Sequence, residues 1–460
     1  MAGARRKKRR GRAVRTVGGG ALAVLLSAAA LPAAFAAPTD APAAAPDAPA
    51  PTGAPAPASR GPAAATAQLA GSAAAPGTSA AARSAGTTRL ISVAADGGQA
   101  DGPSSAPVVS ADGRVVAFTS AATNLVRGDT NDRTDLFVRD LRRGRLQRVV
   151  DPLGELSSPA LSANGRYLAY TAQDGATSAV VVRDLRTGRT ERADVDLPMP
   201  FENGATPALS ADGRTVAFTV DDSDSTTTGA QAVYVRDLRA RRTEQVSFPA
   251  DGDAGFRGFR APTISADGRT VAYQYVHGTP PRGDWSDLYV HDRDTGGETQ
   301  ADTTHDGSPA DGAATNPQLS ADGATLAFDS GASNLVPGRD PNDSVNPFVR
   351  DLRTGNVTRI DAVLPGPDGV LSVDGVSADG SKLLLDTWPV LTVDDAEFVR
   401  DLRTGANALV SPDKDGRPAN AVGARMDARA RTVVFGGFDD EHFVAGDTNG
   451  VQDVFVRTAR

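Results

Sequence analysis

One short unit returns along the chain and restricts the fold more than anything else in it: a strand ending in Ser, then Ala-Asp-Gly, then an apolar strand. It reads PVVSADGRVVAFTS from Pro107, PALSANGRYLAYTA from Pro159, PALSADGRTVAFTV from Pro207, PTISADGRTVAYQY from Pro262 and PQLSADGATLAFDS from Pro317. Two degenerate copies follow, GVSADGSKLLLDT from Gly375 and ARMDARARTVVFGG from Ala424. The aligned positions Ser110, Ser162, Ser210, Ser265, Ser320, Ser377 and Met426 lie 52, 48, 55, 55, 57 and 49 residues apart. A fixed period of this length signals a repeat architecture.

Each unit has a second half. DLFVRDL from Asp135 leads through a Gly turn into a polar strand, and VVVRDLRTGRTERAD, AVYVRDLRARRTEQVS, DLYVHDRDTGGETQAD, PFVRDLRTGNVTRID and EFVRDLRTGANALVS repeat that pattern. Four short strands, a to d, therefore make one unit. Ala-Asp-Gly supplies the a–b turn, Gly giving positive φ and Asp bonding the turn backbone, and Asp-Leu-Arg-Thr-Gly supplies the c–d turn. Four antiparallel strands in about fifty residues predict a propeller blade, where a parallel solenoid would use shorter repeats. The last unit stops at DVFVRTAR, its strand c, while Thr88–Val93 before the first unit matches a strand d. The prediction is an all-β, seven-bladed β-propeller over 87–460, its N-terminal strand closing the last blade so that no sheet edge stays open.

The Ser-x-Asp-Gly unit with its later apolar-Tyr/Phe-Val-x-Asp-Leu resembles TolB-like propeller repeats, relatives of WD repeats. The resemblance covers roughly 88–460 and implies the fold more than any activity. Ala111, Ala211, Ala266, Ala321 and Ala378 stand where many family members have Pro, and a tether takes the place of the α/β domain that TolB carries ahead of its propeller. A TolB-type envelope role is not implied.

Composition assigns the rest of the chain. Residues 1–36 hold eight Arg or Lys and no acid; the apolar run Gly18 to Ala33 and Ala34-Phe35-Ala36 then read as a signal peptide cleaved before Ala37. An uncleaved anchor is the rival reading. Residues 37–86, nearly all Ala, Pro, Gly, Ser and Thr, cannot offset the entropy of ordering and read as a disordered linker. Without the first 36 residues, 40 bases face 56 acids. That balance repels phosphate backbones and excludes nucleic acid as a partner. The absence of cysteine excludes disulfides, thiolate chemistry and a lipoprotein anchor. No other stretch is long and apolar enough to span a membrane, and the expected product is a secreted or cell-surface monomer.

In such a blade the a–b and c–d turns share one face, and the b–c loops and d–a connections share the other. The second set is long, variable and acidic, so recognition is expected there. Three b–c loops share Asp-x-Asn-x-x-x-Asp: Asp129, Asn131 and Asp135; Asp340, Asn342 and Asn346; Asp447, Asn449 and Asp453. Oxygen ligands at that spacing suit Ca²⁺, and Asx-turn chemistry is the alternative. The strand-c arginines Arg139, Arg183, Arg236, Arg350 and Arg400 read as structural ion-pair partners. His291 replaces one of them, while His277 and His305 fall on the variable face, where they could approach one another. No nucleophile motif accompanies them. The expected function is a binding scaffold for a protein or cell-envelope ligand on the b–c and d–a face, possible calcium being its one cofactor and no residue catalytic. The alternative is a propeller-only extracellular hydrolase or lyase with its site in the central funnel.

Overall fold

The computed structural model describes residues 86–175, 177–197, 203–221, 231–248, 256–278, 284–338, 344–360, 370–388, 396–438 and 443–459. The signal peptide, nearly all of the linker, His442 and the calcium candidates Asp340 and Asn342 lie outside them. The described part is all β and contains no helix.

Strand β1 (Gly86–Leu90) precedes the first full sheet, β2 (Ser104–Val109), β3 (Val115–Ser120), β4 (Asp135–Asp140) and β5 (Arg145–Val149). Then come β6 (Glu155–Leu161), β7 (Tyr167–Asp174), β8 (Thr177–Asp184) and β9 (Thr190–Arg192), and β10 (Asn203–Leu209), β11 (Thr215–Asp221), β12 (Gln231–Asp237) and β13 (Arg242–Gln245). These two sets form one eight-stranded sheet, joined at a single parallel pair, Asn203 with Ser178. Four-stranded sheets follow: β14 (Phe256–Ile264), β15 (Thr270–Gly278), β16 (Asp284–Asp292) and β17 (Gly297–Gln300); β18 (Ala314–Leu319), β19 (Thr325–Ser330), β20 (Asn346–Asp351) and β21 (Val357–Arg359); β22 (Val370–Val376), β23 (Lys382–Trp388), β24 (Ala396–Asp401) and β25 (Asn407–Leu409). In the last sheet β26 (Ala421–Met426), β27 (Thr432–Gly437) and β28 (Asp453–Ala459) are completed by β1, which pairs antiparallel with β28 from Gly86 opposite Ala459 to Leu90 opposite Phe455.

The sequence unit maps onto this geometry position by position. Ser110 is fully buried; its hydroxyl donates to Asp112 Oδ1 at 2.6 Å and accepts the Val115 N–H at 3.0 Å. Ser162, Ser210, Ser265, Ser320 and Ser377 repeat the hydroxyl-to-backbone bond to the residue five places on. In the last sheet Asp427, not Met426, fills this place: its N–H bonds Thr432 O at 2.8 Å and its carbonyl accepts the Ala430 N–H, as Ser110 does with Val115 and Gly113. A carboxylate caps this turn instead of a hydroxyl, and Ala430 takes the positive φ elsewhere held by Gly, so neither marker residue shows in the sequence.

The Phe or Tyr of strand b stacks across the ladder on an aromatic of strand c. Phe118 with Phe137, Phe328 with Phe348 and Phe435 with Phe455 each lie 5.8 Å apart, and Phe218 with Tyr234 and Tyr273 with Tyr289 each 6.3 Å. Such pairs add roughly 0.5–1.5 kcal/mol beyond the area they bury. Strand a carries a bulge in each sheet, with Ala106, Ser158, Thr206, Ala261 and Asn316 at positive φ. Three of the strand-c arginines clip neighbouring sheets, mostly through carbonyls and not through the expected ion pairs, while Arg400 donates to Asn407 of its own sheet. Arg183, Arg236 and Arg350 donate to the carbonyls of Val150, Val195 and Thr303, and Arg236 also pairs with Asp196 at 2.9 Å. His291, in the same place, is buried, and burial lowers its pKa.

Candidate active site

The long connections rest on a repeated clamp. Asp101 accepts the Thr123 N–H at 2.7 Å and its hydroxyl at 2.6 Å, while Asn124 Nδ2 donates to Gln99 O at 2.9 Å. Asp311 does the same with the Ser333 N–H and hydroxyl, both at 2.6 Å, and Asn334 Nδ2 donates to Pro309 O at 3.0 Å. The sequence shows this clamp only as Ala-Asp-Gly before a strand and Asn-Leu-Val after one. Gly312 is required beside it, since a Cβ there would lie 2.4 Å from the Ala332 nitrogen.

The first calcium candidate is bridged by an arginine. Arg148 on β5 places Nη1 3.0 Å from Asp129 Oδ1 and Nη2 2.8 Å from Asp135 Oδ2. Burial, and then the Asp135 charge, raise the Asp129 pKa, while Arg148 opposes both. Asn131 lies 3.4 Å from Asp135 and accepts the Arg133 N–H, which is Asx-turn chemistry. In the second loop Asn449 donates to Asp453 at 2.7 Å and to Ala100 O, Ser92 donates to Asp453, and Gln99 donates to Asp447 at 3.0 Å. The register position of Arg148, opposite Phe137, is held in this sheet by Leu90, opposite Phe455. Among the described residues no three His, Asp or Glu side chains converge as a metal site.

A different cluster is richer in acid–base chemistry. His277, near the end of β15, lies with Nε2 3.0 Å from Asp287 Oδ2 on β16, and the Trp285 indole N–H donates to Asp287 Oδ1 at 3.2 Å. The antiparallel register, His277 opposite Trp285 and Tyr275 opposite Asp287, sets these four side chains on one face of the sheet. Tyr275 stacks on His277 at 5.2 Å and Phe256 on Tyr275 at 5.5 Å. Asp302, just past strand β17, is fully buried; it accepts the Leu288 N–H at 3.2 Å and the Gln300 amide at 3.1 Å. Burial, and then the Asp287 charge, raise its pKa to about 7. Asp302 is sealed from solvent and holds the Leu288 backbone, so the part of this cluster open to a substrate is the His277–Asp287 pair. His277 was legible as a candidate; Asp287, Trp285 and Asp302 were not. The other expected partner, His305, stands exposed in the d–a turn, and the structure pairs His277 with Asp287 instead.

No family model and no curated protein matches the chain. Solved structures do. An oligogalacturonate lyase in complex with manganese shares 14% identity over 82% of this chain and 97% of that one, at a TM-score of 0.55. The β-propeller domain of the Trilobed protease from Pyrococcus furiosus shares 13% over 77% and 93%, at 0.52. TolB from Acinetobacter baumannii shares 18% over 66% and 62%, at 0.39, a score too low to carry weight. At these identities the likeness shows a β-propeller fold and no activity.

Proposed function

We propose that this chain is an exported seven-bladed β-propeller acting as a propeller-only hydrolase or lyase on a saccharide, with His277 and Asp287 at its centre. The seven-blade reading is supported by the seven turn units, by the single residue pair joining the halves of the eight-stranded sheet and by the bond from the Ala428 N–H to the Ala111 carbonyl, last unit to first. Export rests on residues 1–36 alone, and N-terminal sequencing of mature protein beginning at Ala37 tests it.

The observation that carries the catalytic reading is the His277–Asp287 pair framed by Trp285, Tyr275 and Phe256. With Nε2–H donating to Asp287, Nδ1 is left as a base, and Asp287 fixes the ring orientation. The Trp285 indole, only partly buried beside the pair, is the aromatic face that suits stacking on a sugar ring. Oligogalacturonate is the first substrate to test, because a propeller of this length acts on it. Unsaturated-product absorbance and reducing-end release should fall at least a hundredfold in His277→Ala and Asp287→Asn.

The second reading, a binding scaffold for a protein or cell-envelope ligand, is favoured by the two Asp clamps that stiffen the loop face. Tight binding of envelope extract, with no turnover of uronides, neutral glycans or peptides, would establish it instead. A divalent cation, calcium included, suits the Asp447, Asn449 and Asp453 loop better than the Asp129, Asn131 and Asp135 loop, where Arg148 supplies the positive charge.

A further inference from the structure

The a–b turns bond one another in sequence, on the face opposite the cluster described above. The Ala163 N–H donates to Ala211 O, Ala211 to Ala266 and Ala266 to Ala321; Asp322 donates to Ala378, Ala378 to Ala428 and Ala428 to Ala111. The step from Ala111 to Ala163 has no such bond, which leaves the Ala111 N–H and the Ala163 carbonyl at the break. A cavity of about 560 Å³ lies there, lined by Ala111, Asp112, Ala163, Asn164, Asp427 and Ala428 together with Arg429 and Arg431.

The charge of this cavity departs from the repeat. Five turns carry Asp at the position after Ala (Asp112, Asp212, Asp267, Asp322 and Asp379), and one carries Asn164. The seventh carries Arg429, with Arg431 two residues on. The nearby carboxylates are turned to their own turns: Asp112 accepts from Ser110 and the Arg114 N–H, and Asp427 from the N–H groups of Arg429 and Arg431. The two guanidinium groups have no ion-pair partner among the described residues. The cavity therefore offers two fork-shaped cation donors, one peptide N–H and one amide.

We infer that this break in the turn ring binds a small carboxylate, gripped by Arg429 and Arg431, with its neighbouring hydroxyl groups on Asn164 and the Ala163 carbonyl. A monoanion is favoured over phosphate because the acidic body, with 40 bases against 56 acids beyond residue 36, repels a dianion more strongly, and a guanidinium meets a carboxylate with two parallel bonds. The inference is independent of the catalytic reading, since no residue is shared between the two sites.

Calorimetric titration with sodium D-galacturonate tests it, with D-galactose as the uncharged control of nearly the same shape. Arg429→Asp installs the residue that five other turns carry, here beside Asp427 where they have a serine. The wild type should bind galacturonate and not galactose, and Arg429→Asp should weaken binding at least tenfold at an unchanged melting temperature. Should that variant unfold, Arg431→Gln serves in its place. No heat of binding with wild type, equal affinity for galactose, or unchanged affinity in both variants would each overturn the assignment.

Discussion

Arg148 Nη2 lies 2.8 Å from Asp135 Oδ2, and the same guanidinium reaches Asp129 at 3.0 Å, in a loop where side-chain oxygens alone suggest a metal. The side chains of Asp129 and Asp135 are only 3% and 5% exposed. Replacing Arg148 by Ala leaves two buried carboxylates facing one another, so we expect a loss of roughly 3–5 kcal/mol in urea unfolding, the usual result of breaking a buried pair on one side. Calcium at millimolar concentration should restore part of it. An unchanged midpoint would show that the pair is solvated.

The same logic separates the two loops. If a cation binds at Asp447 and Asp453, calcium should raise the melting temperature of the wild type and of Asp129→Ala, but not of Asp447→Ala, since ligands held only by the folded state stabilise it. Magnesium should do less, because it dehydrates reluctantly. Identical melts in EDTA and calcium would leave both loops as Asx turns.

Asp329 predicts a pH dependence. It is buried between sheets, accepting from Ser372 at 2.7 Å, from Asn316 at 3.1 Å and from the Val373 N–H at 3.0 Å, and burial raises its pKa to about 7. Below pH 7 the folded state holds a proton that the unfolded chain, at the ordinary carboxyl value near 3.8, has released. Stability from this group therefore falls as pH rises from about 4 through 7 and levels off above. Asp302 acts in the same direction over the same window. Melting temperature should drop less between pH 5 and pH 8 in Asp329→Asn than in the wild type, and equal drops would contradict the assignment.

The buried turn hydroxyls should be felt individually. Ser210 is 1% exposed and receives the Thr215 N–H at 3.0 Å while donating to Asp212 at 2.9 Å. Ser210→Ala strands that N–H and should cost about 1–3 kcal/mol in denaturant unfolding. A cost near zero would mean that water replaces the hydroxyl.

Removing β1 tests the seam of the last sheet. Beginning the chain at Ser92 instead of Gly86 uncovers the β28 edge and the apolar surface over Phe455. Light scattering should then report concentration-dependent association, the behaviour of an unprotected edge strand. A monomer with an unchanged melt would show that β1 is dispensable.

The strand order within each sheet was readable from the sequence because it depends on local chemistry. Ser110, Asp112 and Gly113 make their turn with one another, and Phe118 meets Phe137 across the antiparallel β3–β4 ladder. The pairing of β1 with β28 could also be read, since a missing strand d at one terminus and a spare one at the other are visible in the repeat. Where the turn carried unmarked residues, as at Asp427 and Ala430, the same reading slipped by one position. What lay beyond it were side-chain contacts between neighbouring strands and their loops: Arg148 reaches Asp129 from β5, Asp287 meets His277 across a ladder, and Asp302 is buried beside them. Those depend on which side chains the β15–β17 register turns to one face and on how deeply neighbouring sheets bury them. Burial, not residue type, raises Asp302 to about 7. The repeat thus determined the sheets and their turns, and packing between sheets decided which of many similar Asp residues hold a proton, an arginine or a turn.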